Sequence, residues 1–333
     1  MSRRVLITGL TGQDGGYLAE RLLADGDEVI GIARRPDRAF AGERADIATG
    51  VELVAADLLD AASVRRAVAD TRPDEIYHLA APTFVPDSWN DPTEVISAIA
   101  AGTAAVLAAA GSIGDDVRVL VATSSEIFGD CGCSPQSESA PMRPRTPYGV
   151  AKLAAHGLVG TLREHHGRFL VSAIAFNHES PRRPERFLSR KVTAGVAAIA
   201  HGRAETLTLG DLAAVRDWSH ARDVVDGMVR ALRHTEPDDY VLASGVGRTV
   251  GELVDGAFAA AQLPRFTPDA EKPRSLSDRV IVDPRFVRPP ERWPPIGDAT
   301  KARRALGWTP RISFEQMIAE MVAADLDRLS GER

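Results

Sequence analysis

Short apolar runs alternate with segments of helical periodicity along the first half of the chain. The run RVLIT at 4–8 ends in a glycine-rich turn, and the next segment carries Leu18, Leu22 and Leu23 at helical spacing before Gly26. The same alternation predicts strands at 28–34, 51–57, 75–81, 118–124 and 169–176, and helices at 61–71, 93–112 and 148–166. Because alternating strands and helices favour a parallel sheet with helices on both faces, we predict an α/β fold with a doubly wound, Rossmann-type parallel sheet.

The amino-acid composition of the chain changes after residue 176. The following segments are arginine-rich loops broken by proline clusters, which suit ligand binding better than a second sheet. Residues 216–247 contain a helix and a strand that we expect to return to the sheet domain formed by 1–176. We expect the remaining stretches, 177–215 and 248–333, to form a smaller, discontinuous C-terminal domain that binds the substrate.

Composition and charge exclude several classes of protein. The 333 residues are 44% hydrophobic and 26% charged, which is enough for a packed core. The net charge of −6, spread over short mixed blocks, gives no electrostatic footprint for nucleic acid or an anionic membrane. The apolar stretch at 99–114 is shorter than the roughly 20 residues that span a bilayer, so it predicts a buried helix. The N-terminal apolar run ends at Gly9, too early for a signal peptide.

The two cysteines, Cys131 and Cys133, are separated by a single glycine. They are too few for a disulfide scaffold, and the segment lacks the further ligands of a zinc site. We therefore treat them as structural, expect no metal, and expect a reducing, cytoplasmic environment.

A glycine motif lies between the first strand and the first helix. Gly9 permits a tight turn, Gly12 lets a pyrophosphate approach the backbone, and Gly15 allows close packing of the helix. The helix N-terminus then faces the phosphates. This arrangement indicates a dinucleotide site, although a plain glycine turn remains an alternative.

The end of the second strand indicates which dinucleotide binds. Arg34 and Arg35 stand where NAD enzymes usually carry an acidic residue and NADP enzymes an arginine. A guanidinium suits a 2′-phosphate, so NADP is favoured, with a solvated surface pair as the alternative.

Two further groups of residues indicate acid–base chemistry. Tyr148 and Lys152 lie one helical turn apart, where the ammonium would lower the pKa of the phenol toward that of a general base. Glu126 follows a run of hydroxyls that includes Ser124 at the end of a predicted strand, where a carboxylate would face the ligand cleft. A helix surface pair and an N-cap cluster are the respective structural alternatives.

Taken together, TGxxGxxG, YxxxK and the upstream Ser/Thr cluster resemble the extended short-chain dehydrogenase/reductase superfamily. Within it the chain is similar to the GDP-mannose 4,6-dehydratase family, through TGLTGQDGGYLAE, GIARR, FNHESPRR, LSRK, RDWSHARD and VDPRFVRPPE followed by GD. These signatures occur in order from residue 8 to residue 298. FNHESPRR and the late arginine segment separate the chain from the related GDP-4-keto-6-deoxymannose reductases.

The resemblance implies a role for each matching position. The catalytic residues would be Ser124, Glu126, Tyr148 and Lys152. Cofactor contacts would come from Gly9, Thr11, Gly12, Gln13, Asp14, Gly15, Arg34, Arg35, Asp57, Leu58, Leu79, Ala81, Thr83, Tyr148, Lys152, His178 and Arg183. The GDP-sugar would be held by Ser125, Asn177, Lys191, Arg216, Arg288 and Glu291.

The same resemblance implies an internally recycled reaction. Tyr148 would deprotonate the 4-hydroxyl as hydride leaves C4 for NADP, Glu126 would remove the C5 proton, Ser124 would assist loss of water, and hydride would return to C6. Alternatives are the same dehydration on a GDP-heptose, or a GDP-sugar epimerase or reductase. A non-catalytic protein that binds NADP or a GDP-sugar is a further alternative, since fold alone does not prove chemistry.

Several positions depart from the family pattern. Ser124 replaces the usual threonine, Pro82 and Phe84 replace polar residues, and Glu94 replaces a tyrosine that commonly contacts the cofactor. The loop after Arg35 is shorter than is typical, and in the family that loop reaches a neighbouring subunit. We therefore expect a homodimer through the helices at 93–112 and 148–166, with the family's homotetramer as the alternative.

Overall fold

A computed structural model describes residues 2–39, 50–263, 279–286 and 292–331 of the chain. The strands are β1 (Arg4–Thr8), β2 (Glu28–Ala33), β3 (Val51–Ala55), β4 (Glu75–His78), β5 (Arg118–Ser124), β6 (Leu170–Ala175), β7 (Asn177–Glu179), β8 (Leu207–Leu209), β9 (Val215–His220), β10 (Asp239–Leu242), β11 (Gly247–Thr249) and β12 (Val280–Val282). The helices are α1 (Gln13–Ala24), α2 (Ala61–Thr71), α3 (Asp87–Asn90), α4 (Pro92–Ile96), α5 (Gly102–Ile113), α6 (Pro147–His166), α7 (Leu188–Ala200), α8 (Ala221–Leu232), α9 (Val250–Ala260), α10 (Thr300–Leu306) and α11 (Phe314–Gly331).

Seven strands form one parallel sheet in the order β10-β6-β5-β4-β1-β2-β3. The strand order reverses between β1 and β4, which are paired with each other. In an open parallel sheet, ligands bind at this reversal, outside the carboxyl ends of the strands. The predicted doubly wound fold is confirmed.

Helices cover both faces of the sheet because its strands are apolar on both sides. On one face Leu18 of α1 and Met228 of α8 pack on β1 and β6. On the other face Val64 of α2, Val106 of α5 and Ala155 of α6 form a second core.

A separate core lies beside this layered unit. Val196 of α7, Leu253 of α9 and Met321 of α11 pack together there, against strands β8 and β12. A three-stranded sheet in the order β11-β9-β7 joins this smaller unit to the end of β6.

Two segments pack in a different unit from their neighbours in the chain. β9, within 216–247, pairs with β7 and β11, and Trp218 belongs to the core of the smaller unit. Conversely, Trp308, within 248–333, is buried against α8 and its indole N–H donates to the Asp223 carbonyl at 2.7 Å. The large indole needs an apolar site with a hydrogen-bond acceptor, and the face of the large sheet offers both. α8 packs on the large sheet, and β10 pairs with β6 at the edge of that sheet.

The apolar stretch at 99–114 lies in a longer helical segment, whose bounds agree within one residue with the helix predicted at 93–112. α4, a π-helical turn at Ser97–Ala101 and α5 form one helical segment, Pro92–Ile113, of 22 residues. It is the one helix in the described parts of the chain that is long and apolar enough to cross a membrane, and 39% of its apolar stretch is buried. A core helix of a globular protein passes the same test, and this segment packs against α2 and α6.

Candidate active site

The turn between β1 and α1 has space for a ligand because its glycines lack side chains. Gly9 has φ +79°, and a Cβ there would lie 2.7 Å from the Ala80 nitrogen. A Cβ on Gly15 would lie 2.3 Å from the Gly9 carbonyl oxygen. The chain can therefore fold tightly here only with glycine, and it leaves the N-terminus of α1 open at the strand reversal. This cradle fits the pyrophosphate of a dinucleotide.

Residues after the neighbouring strands border the same edge. Arg34 and Arg35 follow β2 and are exposed, and among the described residues neither has an ion-pair partner. Asp57 follows β3, and its carboxylate accepts from the Leu59 N–H at 3.0 Å, so it also stabilises its own turn. Leu58 packs against Gly102. Leu79, Ala81 and Thr83, the other predicted cofactor contacts here, follow β4.

The predicted catalytic carboxylate is held by the start of α6. β5 ends at Ser124, and a 3-10 turn over Ser125–Ile127 carries Glu126. The Thr146 hydroxyl donates to Glu126 Oε2 at 3.2 Å and accepts from the Gly149 N–H at 2.9 Å. One residue thus caps α6 and orients the carboxylate. A Cβ on Gly149 would lie 2.7 Å from the Glu126 carbonyl oxygen, so glycine is needed for this approach.

Tyr148 and Lys152 are both buried, one turn apart on α6. Burial raises the pKa of Tyr148 to about 12; the hydrogen bond with Ser124 opposes this rise and the charge of Glu126 adds to it. Burial lowers the pKa of Lys152 to about 8. The expected lowering of the tyrosine pKa is therefore wrong for the chain alone, because desolvation outweighs the nearby charges. The ammonium instead donates to the Ala122 carbonyl at 2.6 Å.

Asp14 and His178, each expected to contact the cofactor, also bind each other. His178 Nε2 lies 2.9 Å from Asp14 Oδ2, which joins the start of α1 to β7. Burial opposes the charged form of both groups, but their mutual attraction raises the pKa of His178 and lowers that of Asp14. Gln13 reinforces the junction, since its amide donates to the His178 carbonyl at 3.1 Å and accepts from the Ser180 hydroxyl at 2.8 Å.

Sequence reasoning missed a buried polar chain beneath this site. His78, at the end of β4, lies between the hydroxyls of Thr8 and Thr103, at 2.8 Å and 3.1 Å. Burial, assisted by the charge of Lys152, lowers the pKa of His78 to about 3, so the ring is neutral. The signal available in the sequence was a histidine in the middle of the strand predicted at 75–81.

Several of the remaining predicted ligands lie outside the large sheet. Arg183 pairs with Glu179 at 3.1 Å, and its charge acts on both Asp14 and Tyr148. The Lys191 ammonium lies 4.9 Å from the centre of the Phe286 ring. Further predicted positions are Asn177, which begins β7, Arg216 on β9, Ser125 in the 3-10 turn, and Arg288 and Glu291, which lie outside the described residues.

The described residues contain no candidate metal site. No group of three or more His, Cys, Asp or Glu side chains there could hold an ion.

Comparisons with known proteins identify relatives that match nearly the whole chain. The family model described as GDP-mannose 4,6 dehydratase matches residues 6–321. The GDP-mannose 4,6-dehydratase of Sinorhizobium fredii is 40% identical over 343 residues, covering 98% of each chain. RMD from Pseudomonas aeruginosa complexed with NADPH is 26% identical with a TM-score of 0.79, covering 98% of this chain and 100% of that one. The UDP-glucose 4-epimerase of Thermus thermophilus in complex with NAD is also 26% identical, with a TM-score of 0.80 and coverage of 97% and 98%.

Proposed function

The chain belongs to the GDP-mannose 4,6-dehydratase family, and we propose that it converts GDP-mannose to GDP-4-keto-6-deoxymannose with a tightly held NADP. The observation that carries the proposal is the placement of Glu126, which Thr146 orients beside the buried Tyr148 and Lys152 pair. A reductase needs no base at C5 of the sugar. A carboxylate held in this position supports dehydration.

The residues at the strand reversal fit the proposed cofactor. The cradle of Gly9, Gly12 and Gly15 would hold the pyrophosphate, and Arg34 and Arg35 would pair with the 2′-phosphate that distinguishes NADP from NAD. NADP held by these residues would supply the hydride acceptor and donor of the reaction, and the positive charge of its oxidised form would favour the phenolate form of Tyr148.

Tyr148 is placed to exchange a proton with the sugar's 4-hydroxyl. Because its pKa is about 12 in the chain alone, it holds its proton at neutral pH until added positive charge stabilises the phenolate. The hydroxyl of Ser124, hydrogen-bonded to Tyr148, would polarise the 4-oxygen as the ketone forms.

Glu126 then serves as the base and acid of the elimination. Once C4 is a ketone, the C5 proton is acidic, and Glu126 would remove it and supply a proton to the departing C6 hydroxyl. The hydrogen bond from Thr146 restricts the carboxylate to one orientation. Holding a reacting group in position is itself worth a large part of a catalytic barrier.

Incubation of the purified protein with GDP-mannose tests the proposal. We expect mass spectrometry to show loss of one water from the sugar nucleotide, with no net change in the near-ultraviolet absorbance of reduced nicotinamide. Glu126→Gln should permit oxidation at C4 without loss of water, and Tyr148→Phe should abolish both. If GDP-mannose is unchanged both without and with added NADP, it is excluded as the substrate. The same assay would then be run with GDP-heptoses. Stoichiometric consumption of added NADPH would indicate a reductase.

Cofactor choice is tested separately. We expect Arg34→Ala and Arg35→Ala to weaken binding of NADP by about tenfold or more, since a charge-assisted hydrogen bond contributes about 1.5–3 kcal/mol. Binding of NAD, which lacks the 2′-phosphate, should change little. Equal losses for both cofactors in a fluorescence titration would contradict the assignment.

A homodimer through α4, α5 and α6 is the proposed assembly, with a homotetramer as the alternative. The face near these helices exposes large apolar side chains: Trp89 is 62% exposed, Val150 47% and Ile96 42%. Contiguous exposed apolar residues are typical of association surfaces. Light scattering should report a dimer that Val150→Glu converts to a monomer; a tetramer that survives this substitution would indicate a different interface.

A further inference from the structure

The segment between Glu126 and Thr146 connects the two ends of the candidate catalytic site and contains both cysteines of the chain. It folds back on itself near its start: the Arg143 N–H donates to the Phe128 carbonyl, and the Asp130 N–H donates to the Arg143 carbonyl, each at 3.1 Å. Gly129, at φ +50°, permits this contact, since a Cβ there would lie 2.0 Å from the Arg143 oxygen. A change within this segment therefore acts on the backbone directly after Glu126.

The two thiols lie together at the turn of this segment. Cys131 Sγ and Cys133 Sγ are 3.2 Å apart, and both are free cysteines. Gly132 between them has φ +81°, which lets the chain reverse and brings the two side chains to one side. Sulfurs in a disulfide are about 2.0 Å apart, so a small approach would join them.

The surroundings of the pair distinguish the two sulfurs. Cys131 is buried, and the buried side chain of Gln136 donates from Nε2 to its sulfur at 3.4 Å. The thiolate is the nucleophile in thiol chemistry, and the sulfur that small molecules can reach attacks first. Cys133 is half-buried and is the more accessible of the two.

We propose that Cys131 and Cys133 form a redox-active dithiol that exchanges with low-molecular-weight disulfides. The Cys133 thiolate attacks one sulfur of the small disulfide, which releases one thiol and leaves a mixed disulfide. The Cys131 thiolate then attacks the Cys133 sulfur and releases the second thiol. The protein loses two electrons and two protons, and the small disulfide gains them.

Closing this short ring strains the segment, because the two cysteines are separated by one residue. Strained disulfides are the more easily reduced ones, so the bond should be reversible under cellular thiol conditions. Cys131 also packs with Ile127 and Phe128, which directly follow Glu126. Oxidation therefore shifts the turn that carries the catalytic carboxylate.

Alkylation followed by mass spectrometry tests the chemistry without any assay of activity. After equilibration with oxidised glutathione, we expect the protein to lose the mass of two hydrogen atoms and both cysteines to resist iodoacetamide; reduced glutathione should restore both. Because the hydrogen bond with Cys131 raises the pKa of the Cys133 thiol, oxidation should accelerate with rising pH. Cys131→Ser should stop at a glutathione adduct on Cys133. Two thiols that remain alkylatable, or a stable adduct on the native protein, would overturn the proposal.

The kinetic consequence rests on the proposed function and is measured separately. We expect the oxidised protein to turn over GDP-mannose about tenfold more slowly or worse, since a displacement on the order of 1 Å at a reacting group can cost about 10²-fold. The variant with both cysteines replaced by serine should be indifferent to oxidised glutathione. A disulfide without a kinetic effect would refute the coupling to Glu126 and leave the dithiol established. Inactivity of both reduced and oxidised protein would refute the proposed function alone.

Discussion

The ion pair between Asp14 and His178 supports a quantitative prediction, because it joins the two packed units across the candidate cofactor site. Its atoms are 2.9 Å apart, and at an effective dielectric constant of about 20 the attraction is on the order of 6 kcal/mol. Burial, which opposes the charged form of both groups, removes much of this. We expect a net coupling free energy of about 1.5–3 kcal/mol, the usual contribution of a charge-assisted hydrogen bond.

The pH dependence of this coupling follows from the directions of the two pKa shifts. The pKa of Asp14 is lowered from 3.8, so its contribution is present above that value and is lost as pH falls through the folded pKa. The pKa of His178 is raised from 6.5, so its contribution is complete below that value and is lost as pH rises through the folded pKa. The coupling should therefore be largest between pH 3.8 and 6.5 and should decline above that window.

A double-mutant cycle measures the coupling directly. The native protein, Asp14→Asn, His178→Gln and the double variant would be unfolded in urea at about pH 5.5 and about pH 9, at one protein concentration. The exposed pair of Arg4 and Glu28, also at 2.9 Å, provides a control cycle with an expected coupling of about 0.2–1 kcal/mol. A coupling for Asp14 and His178 that is the same at both pH values, or no larger than the control, would refute the reasoning.

Two further predictions use matched glycine and threonine pairs. Gly15→Ala should destabilise the fold by about 1–3 kcal/mol and abolish dinucleotide binding, because its Cβ would meet backbone at 2.3 Å. Gly160→Ala, on α6 with open space at its Cβ, should raise the unfolding free energy by up to about 1 kcal/mol. An unchanged affinity of Gly15→Ala for the dinucleotide, measured by fluorescence titration, would contradict the role of this glycine turn in binding the pyrophosphate. Thr146→Val should cost about 1 kcal/mol as a lost N-cap and should also lower kcat. Thr249→Val removes the N-cap of α9, which does not bind Glu126, so it should lower the unfolding free energy by a similar amount and leave kcat unchanged. If both variants lose kcat equally, Thr146 does not position Glu126.

Part of the candidate site could be predicted because its signals are local. The spacing of Gly9, Gly12 and Gly15 and the one-turn separation of Tyr148 and Lys152 are properties of a few consecutive residues. The structure confirms the turn and the shared helix face that these spacings require. The roles of these residues toward cofactor and substrate stay predictions.

The pKa shifts of the site residues could not be predicted from such local signals. Proximity of Lys152 suggested a lowered pKa for Tyr148, yet burial raises it to about 12. Desolvation depends on everything that packs around the phenol, including segments far away in the chain. A residue pattern identifies which groups titrate, whereas packing determines how strongly each is shifted.

The amino-acid sequence alone determined the order of strands and helices, the parallel sheet and its glycine turn, since hydrophobic periodicity and chain stereochemistry act over short distances. The tertiary structure decided the rest. It assigned β9 to the smaller unit and Trp308 to the large sheet, paired Asp14 with His178, and placed Thr146 against Glu126. Such contacts join residues that are distant in the chain, and they arise only when the whole fold satisfies buried polar groups and apolar surfaces at once.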